Sequence, residues 1–184
     1  MSLKRSFTTV FAFILLGSMG SALAQSNDFA PGPRLLEFGP VVAVDSHLTV
    51  SPDQVWRHSF DVNERAKAGD RNRGFESAAR FYNMMAAAGA PDENVNVAIV
   101  VHGGAINDLL STEAYGAKAE GAANPNAPLV AALIETGARI IVCGQSAAAQ
   151  GIAKGELLPG VEMDISAMTA HARLQQDGYT LNPF

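Results

Sequence analysis

The stretch ARIIVCGQSAAAQG, residues 138–151, contains the pattern that decides the fold. An apolar run from Ile140 to Val142 ends at Cys143, a glycine follows, and small helix-forming residues come next. A short apolar run closed by a glycine is typical of a buried strand, and the alanine-rich segment after it favours a helix. The stretch therefore predicts a strand–turn–helix unit with the only cysteine of the chain at its turn.

The same alternation of strand and helix patterns extends along the chain in both directions. Strands are predicted for segments with continuous or alternating apolar residues: 55–62, 95–105 (a strand that runs into a tight loop at its two glycines), 139–144, 161–166 and 179–184. Helices are predicted for segments with apolar residues at helical spacing: 74–89, 106–118, 124–138, 145–157 (interrupted near Gly151) and 167–178. Because strands alternate with helices, the predicted fold class is α/β, with helices packed on a mainly parallel sheet of about five strands.

The first 24 residues have the three-part pattern of a secretory signal peptide. Lys4 and Arg5 form a short basic start, an apolar stretch follows, and the small residues ALA at 22–24 come directly before Gln25. The pattern predicts cleavage after Ala24 and a periplasmic or secreted protein that has no membrane segment after cleavage. An uncleaved N-terminal anchor is the alternative.

The rest of the chain divides into a lead-in and one domain. Residues 25–54 are punctuated by Pro and Gly and predict an irregular lead-in. Residues 55–184 contain all the predicted strands and helices, and the 48% of hydrophobic residues in the sequence is enough for a substantial core. The sequence therefore predicts a single α/β domain.

The charge balance of the predicted mature chain is acidic. Residues 1–24 contain two of the 13 basic residues and none of the 18 acidic ones, so their removal changes the formal charge from −5 to −7. An acidic surface without basic clusters argues against nucleic acid and anionic membranes as partners. A chain with one cysteine forms no internal disulfide, so in an exported protein the thiol is buried, reactive or paired between chains.

Two predicted strands end in residues that can carry chemistry, and ligands bind at the carboxyl ends of strands in open parallel sheets. One strand runs into His102, and the two glycines after it indicate a tight turn or the close approach of a ligand. The other strand ends at Cys143, the candidate catalytic residue. The candidate ligand-binding residues at these two strand ends are His102, Gly103, Gly104, Gly144, Gln145 and Ser146.

Cys143 directly precedes a predicted helix, whose unpaired N–H groups and dipole favour an anion. A thiolate at such a position has a lowered pKa and is a good nucleophile near neutral pH. Gly144 leaves room for a substrate to approach closely, and Gln145 and Ser146 can donate hydrogen bonds to the sulfur. The alternative is that Cys143 is a small buried side chain, because free cysteine is among the most buried residue types. The pattern alone favours neither interpretation.

His102 also has two interpretations. It is either a base or a donor that steadies a thiolate, or it hydrogen-bonds loop backbone and takes no part in chemistry, which the sequence slightly favours. No dinucleotide or P-loop motif occurs, and the four histidines have no ligand-like spacing, so neither a cofactor nor a metal is predicted. The segment GQSAA is close to the nucleophile elbow of serine hydrolases, but Ala148 stands where that motif needs glycine, which disfavours a catalytic Ser146.

Three segments together resemble the DsrE/DsrF-like family of sulfur-relay proteins: VAIVVHGGA, NPNAPLVAALIETGARIIVCGQSAAAQG and LLPGVEMDISAMTAHARLQQDGYTLNPF. The resemblance covers about residues 94–184. It implies a flavodoxin-like three-layer sandwich that assembles into homo- or hetero-oligomers. It also implies that Cys143, at a strand end before a helix, accepts sulfane sulfur as a persulfide and passes it to a partner thiol. The resemblance implies no role for His102.

Three functions are compatible with these patterns. The first is a sulfur carrier that uses the Cys143 thiolate and exchanges sulfur with donor and acceptor thiol proteins. The second is a non-catalytic homo-oligomeric module in which Cys143 is buried and unreactive. The third is a small-ligand binder that uses the Gly103–Gly104 loop and the helix beginning near Gln145. Whether the protein is an enzyme stays open at this point, because the predicted export separates it from the mostly cytoplasmic carriers of the family.

Overall fold

The computed structural model describes residues 28–182, and the predicted signal peptide, residues 1–24, lies outside them. The centre of the fold is a sheet of five strands in the order β4-β3-β2-β1-β5, and every neighbouring pair is parallel. The strands are β1 Trp56–Val62, β2 Val95–Val101, β3 Arg139–Cys143, β4 Glu162–Asp164 and β5 Thr180–Asn182. The predicted α/β class with a parallel sheet of five strands is confirmed, and the short β5 forms an edge as expected.

Five α-helices within residues 28–182 connect the strands. They are α1 Arg73–Ala87, α2 Thr112–Lys118, α3 Ala127–Glu135, α4 Gly144–Ala149 and α5 Ala167–Gln176. The helix predicted from residue 106 begins later, because residues 103–109 form a 3-10 turn and the Ser111 side chain caps α2 by accepting a hydrogen bond from the Ala114 amide at 3.2 Å. The helix predicted over 145–157 ends at Ala149, just before Gly151, which has a φ of +66°.

The strand order decides which side of the sheet each helix covers. From β1 to β4 the chain moves in one direction across the sheet, and from β4 it returns past three strands to place β5 beside β1. Right-handed crossovers in opposite directions put their helices on opposite sides. Accordingly α1 and α3 pack on one side, here called the α1 face, whereas α5 packs on the other, the α5 face.

The two faces have very different cores. The α1 face buries a large apolar cluster around Phe75, Tyr82 and Ile99, which includes side chains from α1 to α4. The cluster on the α5 face has five buried residues, namely Ala98, Val100, Ile141, Ala170 and Leu174. Strand β2 supplies both clusters, so its apolar run is continuous, as in strands that are covered on both faces.

The described part of the lead-in, residues 28–54, has no helix and one isolated bridge, between Ala30 and Val41, and its inner part is nevertheless packed on α1. Leu35 and Phe38 are buried in the core of the α1 face. The buried amide of Asn83 holds this segment: it accepts hydrogen bonds from two backbone N–H groups and donates to three backbone carbonyls. Within residues 28–182, no helix is both long enough and apolar enough to span a membrane.

Candidate functional site

Cys143 lies at the last position of β3, at the carboxyl edge of the sheet, and α4 begins at the next residue. Its neighbour across the sheet is Asp164, the last residue of β4. The chain leaves β3 through α4 on the α1 face, whereas it leaves β4 through α5 on the other face. Such a divergence between adjacent strands opens a crevice at their carboxyl ends, which is where ligands bind in open α/β sheets. The sulfur therefore lies at the topological switch point of the sheet.

The Cys143 sulfur receives several hydrogen bonds. The backbone N–H of Ser146 donates to it at 3.5 Å and the Ser146 hydroxyl donates at 3.4 Å. Burial raises the pKa of the Cys143 thiol, but hydrogen bonds from the Ser146 side chain and from the backbone amides of Ser146, Ala167 and Gln145 lower it. The hydrogen bonds prevail, so the pKa of Cys143 is lower than that of an ordinary thiol. The site therefore stabilises a thiolate.

The Ser146 hydroxyl is oriented by the glycine loop after β2. The backbone N–H of Gly103 donates to Ser146 Oγ at 3.3 Å, which occupies a lone pair of the oxygen and leaves its hydrogen for the sulfur. The side chain of Gln150 donates to the Gly103 carbonyl at 2.8 Å and ties the same loop to the end of α4. The two predicted strand ends therefore meet, and Gly103 touches the cysteine site through Ser146.

The three glycines at the site differ in what a side chain would meet at their positions. Gly103 has a φ of +55°, and a Cβ there would lie 3.0 Å from the Asn63 carbonyl oxygen, so the tight turn expected at this position is present. A Cβ on Gly144 would lie 2.7 Å from the Asp164 carbonyl oxygen, so the free space expected for a substrate is filled by the chain's own backbone. Gly104 is exposed and has only ordinary contacts.

Gln145 contributes its backbone rather than its side chain. Its amide donates to the Ile165 carbonyl at 3.1 Å and also lowers the pKa of Cys143, while its side chain is exposed. Asp164 anchors the same loop, because its Oδ1 accepts hydrogen bonds from the Ile165 amide and the Thr169 hydroxyl, and its Oδ2 pairs with Arg173 at 3.2 Å. This network fixes the start of α5 above Cys143.

The His102 ring contacts a carboxylate and not loop backbone. The hydrogen-bond partner that the sequence slightly favoured for His102 is therefore wrong. The Nε2 atom of His102 lies 3.1 Å from Oδ1 of Asp61, a residue of β1. The same oxygen lies 2.8 Å from Nε2 of His171, which belongs to α5. No hydrogen bond joins His102 to Cys143 in the part of the chain that the structure describes.

Asp61 is ionised in this arrangement. Burial raises its pKa, but hydrogen bonds from His171 and His102 and the attraction to both imidazoles lower it, and the pKa of Asp61 is below that of an ordinary carboxyl group. Asp61 and His171 were missed by the sequence analysis. A signal for Asp61 was available, because a polar residue at the carboxyl end of the first strand belongs to the same edge as His102 and Cys143.

Two clefts of the described surface lie near the carboxyl edge of the sheet. One of about 550 Å³ opens at the end of β1 and is lined by Asp61 and the loop to α1, including Arg65, Lys67, Arg71 and Arg73, a local basic segment that the sequence analysis overlooked. One of about 310 Å³ lies along the β4 edge and reaches Asp164 and Ile165. Among residues 28–182, no group of three or more His, Cys, Asp or Glu side chains is arranged to hold a metal ion.

Comparisons with known proteins agree with this fold. Among solved structures, the chain is similar to MTH1491 from Methanobacterium thermoautotrophicum, a protein of unknown function, at 20% identity and a TM-score of 0.54, covering 70% of this chain and 99% of that one. It is also similar to the ychN protein from E. coli, at 15% identity and a TM-score of 0.51, covering 71% of this chain and 100% of that one. At these identities the two likenesses show the fold alone.

The family is shown by a separate comparison. A search of the curated proteins finds no match. The family model described as DsrE/DsrF-like matches residues 60–183, which is more than half of the chain and includes β3, α4 and Cys143. The match extends further toward the N-terminus than the segments that carry the resemblance in the sequence. The chain belongs to the DsrE/DsrF-like family.

Proposed function

We propose that the protein is a sulfur carrier that holds sulfane sulfur as a persulfide on Cys143 and passes it to a partner thiol. The observation that carries the proposal is the set of N–H and O–H donors around the Cys143 sulfur, which comes from the starts of two helices and lowers the pKa of the thiol. A thiolate is the form that attacks sulfur, and it is also the group that leaves when the sulfur is passed on.

The proposed cycle has two exchanges. In the first, the Cys143 thiolate attacks the outer sulfur of a persulfide or polysulfide, and the sulfur–sulfur bond of the donor breaks. A persulfide donor leaves as a thiolate, and a polysulfide leaves as an anion shorter by one sulfur. In the second, an acceptor thiolate attacks the outer sulfur on Cys143, and the bond to Cys143 breaks. The electron pair of that bond returns to the Cys143 sulfur, where the donors from Ser146, Ala167 and Gln145 stabilise the negative charge.

A second candidate is a non-catalytic oligomeric module, and the burial of the cysteine favours it. The Cys143 side chain is buried, with 5% of the residue exposed, which suits a structural role. Two large apolar side chains near it at the start of α5, Ile165 and Met168, are 65% and 79% exposed. The two exposed side chains fit a surface that is covered in an assembly. The module differs from the carrier in predicting a thiol that reacts only after unfolding.

The experiment that separates them measures the rate of Cys143 alkylation as a function of pH in the folded protein, and the intact mass after incubation with polysulfide. The carrier predicts a thiol pKa below the free value of about 8.5, and a gain of one sulfur that a reductant removes. The matched variant Cys143→Ser should gain none. Alkylation of the wild type only in denaturant, with no gain in mass, would favour the module.

Export and assembly belong to the same proposal. We propose that residues 1–24 direct the chain to the periplasm or the medium, and that the mature protein is a homo-oligomer that meets donor and acceptor thiols there. The motif that supports export is ALA before Gln25. N-terminal sequencing of the protein expressed with residues 1–24 should find Gln25 first, and sedimentation should give a mass above one chain. An intact Met1 on soluble protein would contradict the export proposal.

A further inference from the structure

A row of reactive side chains crosses the α5 face at the carboxyl edge of the sheet. Val101 of β2 pairs with Val142 of β3, and His102 and Cys143 each follow by one residue. Because side chains alternate along a strand, His102 lies on the same face as Val100, which packs under α5. Cys143 shares that face with Ile141. His102 and Cys143 are therefore lateral neighbours on adjacent strands, which are roughly 4.8 Å apart in a sheet.

Asp61 determines where the protons of the two histidines are. An ionised carboxylate only accepts hydrogen bonds, and both imidazole Nε2 atoms lie within 3.1 Å of Asp61 Oδ1, so in the neutral state each Nε2 carries its hydrogen. The second nitrogen of His171, Nδ1, lies 3.4 Å from the Ser59 hydroxyl. The second nitrogen of His102 has no hydrogen-bond partner among residues 28–182. His102 therefore presents a free proton acceptor at the end of the strand adjacent to that of Cys143.

Both groups are accessible to a partner. The His102 side chain is 29% exposed and that of Asp61 is 30% exposed, whereas Cys143 is buried. An acceptor thiol that approaches the outer sulfur of a Cys143 persulfide therefore arrives at the edge of the sheet where His102 lies. A thiol with an ordinary pKa of about 8.5 is mostly protonated at neutral pH, so it needs a base before it attacks.

We propose that His102 is the base that takes the proton of the acceptor thiol, and that Asp61 is the positioning residue that fixes its ring and stabilises its charge. The inference rests on the proposed sulfur carrier and assigns a step within it. Neutral His102 takes the thiol proton at Nδ1, the acceptor thiolate forms a bond to the outer sulfur, and the bond between that sulfur and Cys143 breaks. The products are the persulfide of the acceptor, the Cys143 thiolate and a charged His102.

The charges left by this step are matched by the structure. The thiolate of Cys143 lies among donors, and the imidazolium of His102 lies on the carboxylate of Asp61. His171 donates to the same carboxylate from α5 and keeps it in place. The protein therefore holds an acid–base pair and a thiolate at one edge of the sheet. The step needs no reactant besides the acceptor thiol and the persulfide on Cys143.

The test separates loading from transfer. Wild type, His102→Gln and His102→Ala are loaded with polysulfide, the gain of one sulfur is checked by intact mass, and transfer to small thiols is then timed at neutral pH. His102→Gln keeps a donor for Asp61 and removes the base. For an alkyl thiol, we expect both variants to lose about a hundredfold or more in transfer rate. For an aryl thiol acidic enough to be ionised already, we expect the wild-type rate.

Two additional measurements distinguish a base from a structural residue. Free imidazole should restore transfer to the alkyl thiol in His102→Ala, and Asp61→Asn should slow that transfer while the aryl thiol still reacts normally. The control is His58→Gln, because His58 lies on the same sheet but on the α1 face, where it stacks on Phe81, and it should behave as wild type. An equal loss for both thiols, or no loss for either, would overturn the inference. A wild type that takes up no sulfur would instead reject the carrier.

Discussion

The two faces of the sheet differ in thickness and in chemistry. The α1 face carries α1, α3 and the packed lead-in over the larger apolar cluster, and buried polar side chains on it, such as Asn83, hydrogen-bond to backbone. The α5 face is covered by one helix over five buried residues, and toward the carboxyl edge it carries Asp61, His102, Cys143 and Asp164. The comparison teaches that the stability of this fold and its reactive groups are separated by the sheet. The thin layer leaves the side chains of His102 and Asp61 partly exposed at the carboxyl edge, so a partner can reach them.

The largest expected effect comes from a matched pair of variants, each of which truncates a core leucine on one face of the sheet. Leu133 of α3 and Leu174 of α5 are both fully buried, one on each face. We expect Leu133→Ala to lower the free energy of unfolding by about 3–5 kcal/mol and Leu174→Ala by about 2–3 kcal/mol, because a single helix can settle into the space more easily. Chemical denaturation of both variants measures the difference. A larger loss for Leu174→Ala would show that the α5 face carries more of the stability than its thickness indicates.

The next test concerns the lead-in, which thickens the α1 face. Replacing Asn83 with Ala leaves buried N–H and C=O groups of residues 34–39 without partners, and we expect a loss of about 2 kcal/mol or more in unfolding free energy. Limited proteolysis should then cut within residues 28–41. The control is Asn94→Ala, because the Asn94 side chain makes one exposed hydrogen bond, to the Pro52 carbonyl. This variant should change the free energy of unfolding by about 0.5 kcal/mol at most. Equal stability of the two variants would contradict the role of Asn83.

A smaller effect on stability is expected from Gly144→Ala, because Gly144 at the start of α4 lies against the backbone that links β4 to α5. A methyl group there meets the carbonyl oxygens of Asp164 and Ile165, so Gly144→Ala must shift the start of α4 and should cost about 1–3 kcal/mol. The shift also moves the amides that lower the pKa of Cys143, so the thiol should alkylate at higher pH. Gly155→Ala is the control, because nothing lies within 4 Å of its added methyl group. A normal Cys143 reactivity profile in Gly144→Ala would show that these amides do not control the thiol.

The smallest effects are the contributions of two carboxyl groups to the pH dependence of stability, and the two contributions should have opposite signs. The lowered pKa of Asp61 means that its contribution to stability is present above the unfolded value of about 3.9 and is lost as pH falls through the folded pKa. Burial raises the pKa of Asp108, so stability falls as pH rises from about 3.9 through its folded pKa. Asp61→Asn should therefore reduce the loss of stability in acid. Asp108→Asn should reduce the decline in stability as pH rises above about 3.9. Urea unfolding across this pH range checks both signs.

Much of the fold could be predicted from local patterns, because strand and helix periods are local properties. The apolar run of β2 and the Cys143–Gly144 turn predict a buried parallel strand and a strand–helix junction, and both are present. The contact of Asp61 with His102 and His171 could not be predicted, because it joins three elements whose neighbourhood depends on strand order. The same holds for Asn83, whose partners lie more than 40 positions earlier in the sequence.

The position of β5 has a consequence for how the molecule is made. The last strand pairs with the first, and the contact between His58 and Thr180 spans 122 positions of sequence. A chain that is synthesised from its N-terminus therefore carries β1 with one unpaired edge until β5, 122 positions later at Thr180, has been made. Open strand edges are templates for self-association. The pairing of β5, rather than the collapse of the apolar core, is thus the event that covers the long edge of β1, and it leaves the three-residue strand β5 as the edge of the sheet.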